Sequence, residues 1–201
     1  MRNLFFSFFI IILLSNCSIS RNFTSGVHRT YDEVKQQKIA VYKINLPARS
    51  IWKKRNAYLV DLVFEQKKST AETLNLLKMY LRLPIDKKVQ DSIYFLSGQM
   101  IIPVKIQSAE YILKEGINSH TENEIIKAKD SSRNDILSTD SHLEHYRYYL
   151  TKIKTQLPDK LMEQIRLNKQ LRIRLYIDEE AYDLTLRKFY IKKIRKVYGL
   201  D

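Results

Sequence analysis

The chain has 201 residues, and its 35 Lys and Arg outnumber 22 Asp and Glu to give a formal net charge of +13. Its four glycines, Gly26, Gly98, Gly116 and Gly199, stand far apart, which excludes a glycine-rich phosphate loop and a dinucleotide fingerprint. One cysteine excludes an intramolecular disulfide, so stability has to come from burial, for which this length is ample.

Met1-Arg2-Asn3 is a short cationic start, and Leu4 to Leu14 is then apolar except for Ser7. That run is too short to cross a bilayer, which needs roughly 20 apolar residues. It has the length of a signal-peptide core. Leu14-Ser15-Asn16-Cys17 follows and resembles the lipobox of bacterial lipoproteins, with Asn16 where that family usually has Gly, Ala or Ser. The resemblance covers residues 1–18. It implies cleavage after residue 16, a diacylglyceryl group on the Cys17 thiol and acylation of the new amine. The expected membrane partner is then reached through lipid on Cys17, since two or three chains anchor far better than one. Ser18 is not the aspartate that retains some lipoproteins at the inner membrane, which favours the outer membrane. The competing readings are a plain cleaved signal peptide with an incidental cysteine, and an uncleaved anchor. The expected location is the bacterial cell envelope, facing the periplasm or the exterior. Nucleic acid is therefore not an expected partner. Anionic lipid, glycan or an acidic protein face is.

Residues 17–37 are polar and unpatterned and read as a lipidated N-terminus with a flexible tether. A β-rich domain is expected over 38–201. Lys38 to Leu46 and Tyr58 to Glu65 alternate as half-buried strands. Ser69 with Glu72 has the form of a capping box, and Leu74, Leu77 and Leu81 follow at helical spacing, so a helix of about three turns is expected, ending at Leu83-Pro84. Ser92 to Leu96 and Met100 to Ile106 form a hairpin across Ser97-Gly98-Gln99, with Pro103 marking an edge or a bulge and Ala109 to Leu113 continuing it. A polar loop is expected at about 115–141. His142 to Leu157 fits helix and strand, and its composition favours a strand from Tyr146. Pro158-Asp159 opens a short helix through Ile165. Leu171 to Ile177 alternates cleanly, Asp178 to Ala181 turns, and Tyr182 to Leu186 alternates back. The basic tail from Lys188 to Tyr198 reads as an extension of that strand.

Seven or eight strands with two short helices predict a mainly β fold, an antiparallel β-sandwich-like domain. Three clusters invite chemistry. His142 and His145, beside Asp140 and Glu144, would share a helix face and could hold zinc, but on a strand they are a polar approach. Asp178-Glu179-Glu180 offers carboxylates, although three acids at a hairpin tip read as a solvated turn. No serine elbow or free catalytic cysteine is present, so no catalytic residue, metal site or cofactor is assigned. The basic tract is the strongest signal. Arg187, Lys188, Lys192, Lys193, Arg195 and Lys196, interleaved with Phe189, Tyr190, Ile191 and Ile194, are the expected anionic-partner site, and Trp52-Lys53-Lys54-Arg55 has similar character. The bland reading of the tract is a solvated outer face with lysines guarding an edge. The function expected is a lipid-anchored, non-catalytic binding or structural module. The rivals are a subunit of an envelope-spanning secretion or transport assembly, and an exported hydrolase.

Overall fold

The structure, a computed structural model, describes residues 26–53, 57–126 and 136–200, with backbone alone over 118–126 and 136–144. Cys17 and the expected signal peptide lie outside the described residues. Among the described residues the fold is mainly β and antiparallel, with two helices. The order is β1 (His28–Asp32), β2 (Gln37–Ser50), β3 (Ala57–Lys68), β4 (Thr73–Leu83), β5 (Val89–Ser97), β6 (Met100–Lys105), β7 (Ser108–Ile126), β8 (Ile136–Gln156), α1 (Asp159–Leu167), β9 (Leu171–Ile177), β10 (Glu180–Leu186) and α2 (Lys188–Tyr198). β1 is formed by residues expected in the tether.

All ten strands belong to one sheet in the order β6-β5-β9-β10-β2-β3-β4-β8-β7, with β1 paired to β2. The sheet curls until its two ends meet. The Gln107 amide donates to the Lys154 carbonyl at 3.0 Å. Thr155 Oγ1 donates to the Lys105 carbonyl at 2.7 Å, and the Val89 amide donates to Tyr111 Oη at 3.0 Å. One sheet thus supplies both walls of the sandwich-like layer. Pro103 sits on β6, an edge strand, where its missing N–H costs least.

The enclosed face is continuous and apolar. It takes Tyr42, Ile44 and Leu46 from β2, Leu62 and Phe64 from β3, Ile93 and Phe95 from β5, and Ile173 and Leu175 from β9. Leu161 and Ile165 of α1 and Ile191, Ile194 and Val197 of α2 close it. Burial of a side chain of this size contributes about 1.5–3 kcal/mol.

Three further elements differ from the sequence expectation. The helix expected after Ser69 is strand β4. Ser69 does make the capping contacts, its Oγ accepting from the Glu72 amide at 3.1 Å, but they close the β3–β4 turn. Leu77 and Leu81, four apart, satisfy both periods; Met79 and Leu83 are also fully buried, and this completes the two-residue period. The tail expected as strand is helix α2, because Ile191, Ile194, Val197 and Tyr198 recur at helical spacing on its buried side. Gly199, at φ 64°, ends it with a left-handed cap, as glycine readily does.

The loop expected at 115–141 is largely strand. β7 and β8 stay paired from Ser108↔Lys154 out to Ile126↔Ile136. β4 accompanies β8 only as far as Leu83↔Tyr149. Beyond that point the two strands project as a ribbon. Ala109 to Leu113 does not continue the β5–β6 hairpin; it is the root of this ribbon. Residues 127–135 lie outside the described residues.

Candidate functional site

α2 carries the basic tract, and its helical form sorts the six cations. Lys188, Lys192 and Lys196 are exposed and recur every four residues, a column about 12 Å long. Phe189, 58% exposed, lies beside them with the Lys193 ammonium 5.7 Å from its ring centre. Arg187 is the exposed N-cap residue. No acid occurs in the helix. Cations in a first helical turn face the positive end of the helix dipole, which is unfavourable by about 0.3–1 kcal/mol each. Lys188 therefore gains nothing from the helix itself.

Arg195 is different. Its Nε and a terminal nitrogen donate to the carbonyls of Ile165 and Asn168, each at 2.8 Å. It holds α1 against α2 and is not free to meet a partner. Lys196 is engaged at this end of the helix: its carbonyl accepts from Arg29 at 3.1 Å, and the residue lines a cleft.

That cleft, of ≈ 410 Å³, lies where β1 and the far ends of β2 and β3 meet the last turn of α2. Arg29, Lys38, Lys68 and Lys196 line it, together with Tyr31 and Gln66 and an apolar floor that includes Ala40 and Val197. None of its lining residues is acidic. The sequence pattern does not point to Arg29, Lys38 or Lys68, because each lies outside any charge run. Only the strand register brings them together. Trp52 and Lys53 are not part of this surface. They follow the end of β2 that pairs with Tyr182, near the start of β10, whereas α2 follows its far end, and Lys53 is ion-paired with Glu180. Lys54 and Arg55 lie outside the described residues.

The remaining clusters resolve differently. His142 and His145 are on strand β8, where positions three apart fall on opposite faces. The register instead sets His120 opposite His142 and Glu122 opposite Asp140. Among the described residues no group of three metal-ligating side chains converges.

Asp178, Glu179 and Glu180 line a second cleft with Lys53, Tyr58, Lys87 and Tyr182. The side-chain hydrogen bond from Lys87, 2.8 Å away, and the amide of Lys88 hold the Asp178 carboxyl below its usual range. Lys53, and then Tyr182, do the same for Glu180. A general acid at neutral pH needs the opposite shift. These two carboxylates instead pin the β9–β10 turn, where Asp178 adopts a positive φ of 51°.

No protein-family model matches the chain, and no curated protein matches it. Among the described residues no helix is long and apolar enough to cross a membrane.

Proposed function

We propose that this chain is a lipid-anchored cell-envelope protein whose mature domain is a non-catalytic module for an anionic partner. The observation that carries this reading is the exposed face of α2, with Lys188, Lys192 and Lys196 in a column beside Phe189 and no acid in the helix. Cations beside an exposed aromatic suit an anionic membrane surface, an acidic glycan or an acidic protein face. The lipobox-like Leu14-Ser15-Asn16-Cys17 supports anchoring through Cys17, and Ser18 favours the outer membrane.

Two variants test it. Cys17→Ala is expected to abolish lipid labelling and release the protein to the soluble fraction; persistent membrane association would place the anchor elsewhere. Lys188→Gln, Lys192→Gln and Lys193→Gln together are expected to weaken retention on phosphatidylglycerol vesicles in a salt-sensitive way. Unchanged retention at low ionic strength would remove α2 from the binding surface.

A second reading, a subunit of an envelope-spanning assembly, is favoured by the β7–β8 ribbon. Beyond β4 no described strand pairs with its outer edges, whose N–H and C=O groups suit strand addition. Crosslinking of the ribbon to another envelope protein in intact cells, lost on deleting residues 117–145, would support it over the first.

A further inference from the structure

We infer that the cleft between β1, β2, β3 and the end of α2 is a site for a phosphate-bearing anion; this rests on the reading of the chain as a module for anionic partners. Lys38 and Lys68 are direct partners across the β2–β3 ladder. Like charges directly opposite on neighbouring strands destabilise a sheet. Among the described residues no carboxylate pairs with Lys38, Lys68 or Lys196. The carboxylate nearest along β3, Glu65, falls on the opposite face and is paired with Lys67 and Lys78.

The helix itself does not account for the cluster. The end of α2 presents roughly half a negative charge. Arg29 already meets that end through the Lys196 carbonyl. The charges of Lys38, Lys68 and Lys196, residues that line the cleft, are in excess of what it requires. A phosphate group, with its negative charge spread over several acceptor oxygens, satisfies this surplus better than a single carboxylate.

The register also gives the cleft its shape. Arg29, Ala40 and Gln66 form one cross-strand row, and Tyr31, Lys38 and Lys68 the next. The apolar floor of Ala40 and Val197 suits the carbon part of an organic phosphate. Arg29 spends one terminal nitrogen on the Lys196 carbonyl and keeps further donors of its guanidinium. Gln66 is already engaged with Asn75 and the Tyr198 carbonyl, so it shapes the wall. Cys17 precedes His28 by eleven residues, at most about 40 Å of chain. A phosphate headgroup and a soluble organophosphate are therefore both within the reach of an anchored domain.

The experiment uses the full chain and the double variant Lys38→Gln, Lys68→Gln. Both are titrated with glycerol phosphate by calorimetry and sedimented with vesicles of phosphatidylglycerol or of phosphatidylcholine. The wild type is expected to bind about tenfold more tightly than the variant, the loss expected for charged hydrogen bonds. The variant's thermal midpoint is expected to stay level or rise, because the like-charge pair is gone. A difference with glycerol phosphate identifies a soluble organophosphate. A difference with phosphatidylglycerol vesicles alone identifies a lipid headgroup. Equal binding of both proteins to every probe overturns the inference. If the α2 lysine variant still loses retention in that case, the binding-module reading stands without the cleft.

Discussion

Arg195 donates from Nε to the carbonyl oxygen of Ile165 at 2.8 Å. One cation thereby closes the last turn of α1 and fixes it to α2. Charged hydrogen bonds of this kind contribute about 1.5–3 kcal/mol. Arg195→Gln is expected to lower the urea midpoint accordingly, while vesicle retention per folded molecule stays unchanged. A variant of normal stability with lost retention would return Arg195 to the binding surface.

Tyr198 is buried, and its phenol donates to the Leu76 carbonyl at 2.8 Å. Burial pushes its pKa well above the ordinary value of 10.0. Burial, and then the hydrogen bond to Glu180, raises that of Tyr182 as well. Both phenols thus ionise in the unfolded chain before they do in the fold. Their contribution is complete below pH 10 and is lost as pH climbs through the folded values. The urea midpoint is expected to decline above pH 10. Tyr198→Phe should flatten that decline while costing about 1 kcal/mol at neutral pH.

At the root of the ribbon, the Tyr146 ring lies across Gly116. A Cβ on Gly116 would clash with Tyr146 Oη. The ring of Tyr146 also stacks on Tyr148, with centroids 5.9 Å apart, and Arg82 lies over Tyr148 at 5.2 Å. Gly116→Ala is expected to swing the Tyr146 ring away, change the near-ultraviolet circular dichroism and cost about 1 kcal/mol or less, because the displaced end is a side chain. Tyr146→Ala should remove the clash, so the two changes together should be non-additive in a double-mutant cycle.

The seam between the ends of the sheet offers a local test. Thr155→Val keeps the shape of the side chain and deletes its hydrogen bond to the Lys105 carbonyl. Stability is expected to drop by about 1 kcal/mol. The Gln107 amide, which crosses the same seam, should exchange its hydrogen faster than in the wild type.

Much of the fold is legible in local pattern. Leu171 to Ile177 alternates without a break and is strand β9. Gly98, with its positive φ, and Pro103, at the edge, mark the β5–β6 hairpin. Pro158 opens α1. The misreadings come from residues whose spacing serves two periods. Leu77 and Leu81 are four apart, which helix and strand both accept. In α2 the run Phe189-Tyr190-Ile191 has strand composition. The 191, 194, 197 spacing that decides for a helix lies among lysines. The ribbon has little apolar alternation to announce it. Half of the basic surface was visible as a charge run in α2. The other half depends on Lys38 meeting Lys68, and cross-strand partners cannot be known before the register is.

From the last contact with β4, the β7–β8 ribbon runs roughly 40 Å at the rise of an antiparallel strand. A protrusion of that length makes the molecule anisometric, so its rotational friction exceeds that of a sphere of equal mass. In solution the tumbling time should therefore be long for 24.0 kDa. Removing the ribbon should shorten it far more than the lost mass alone would.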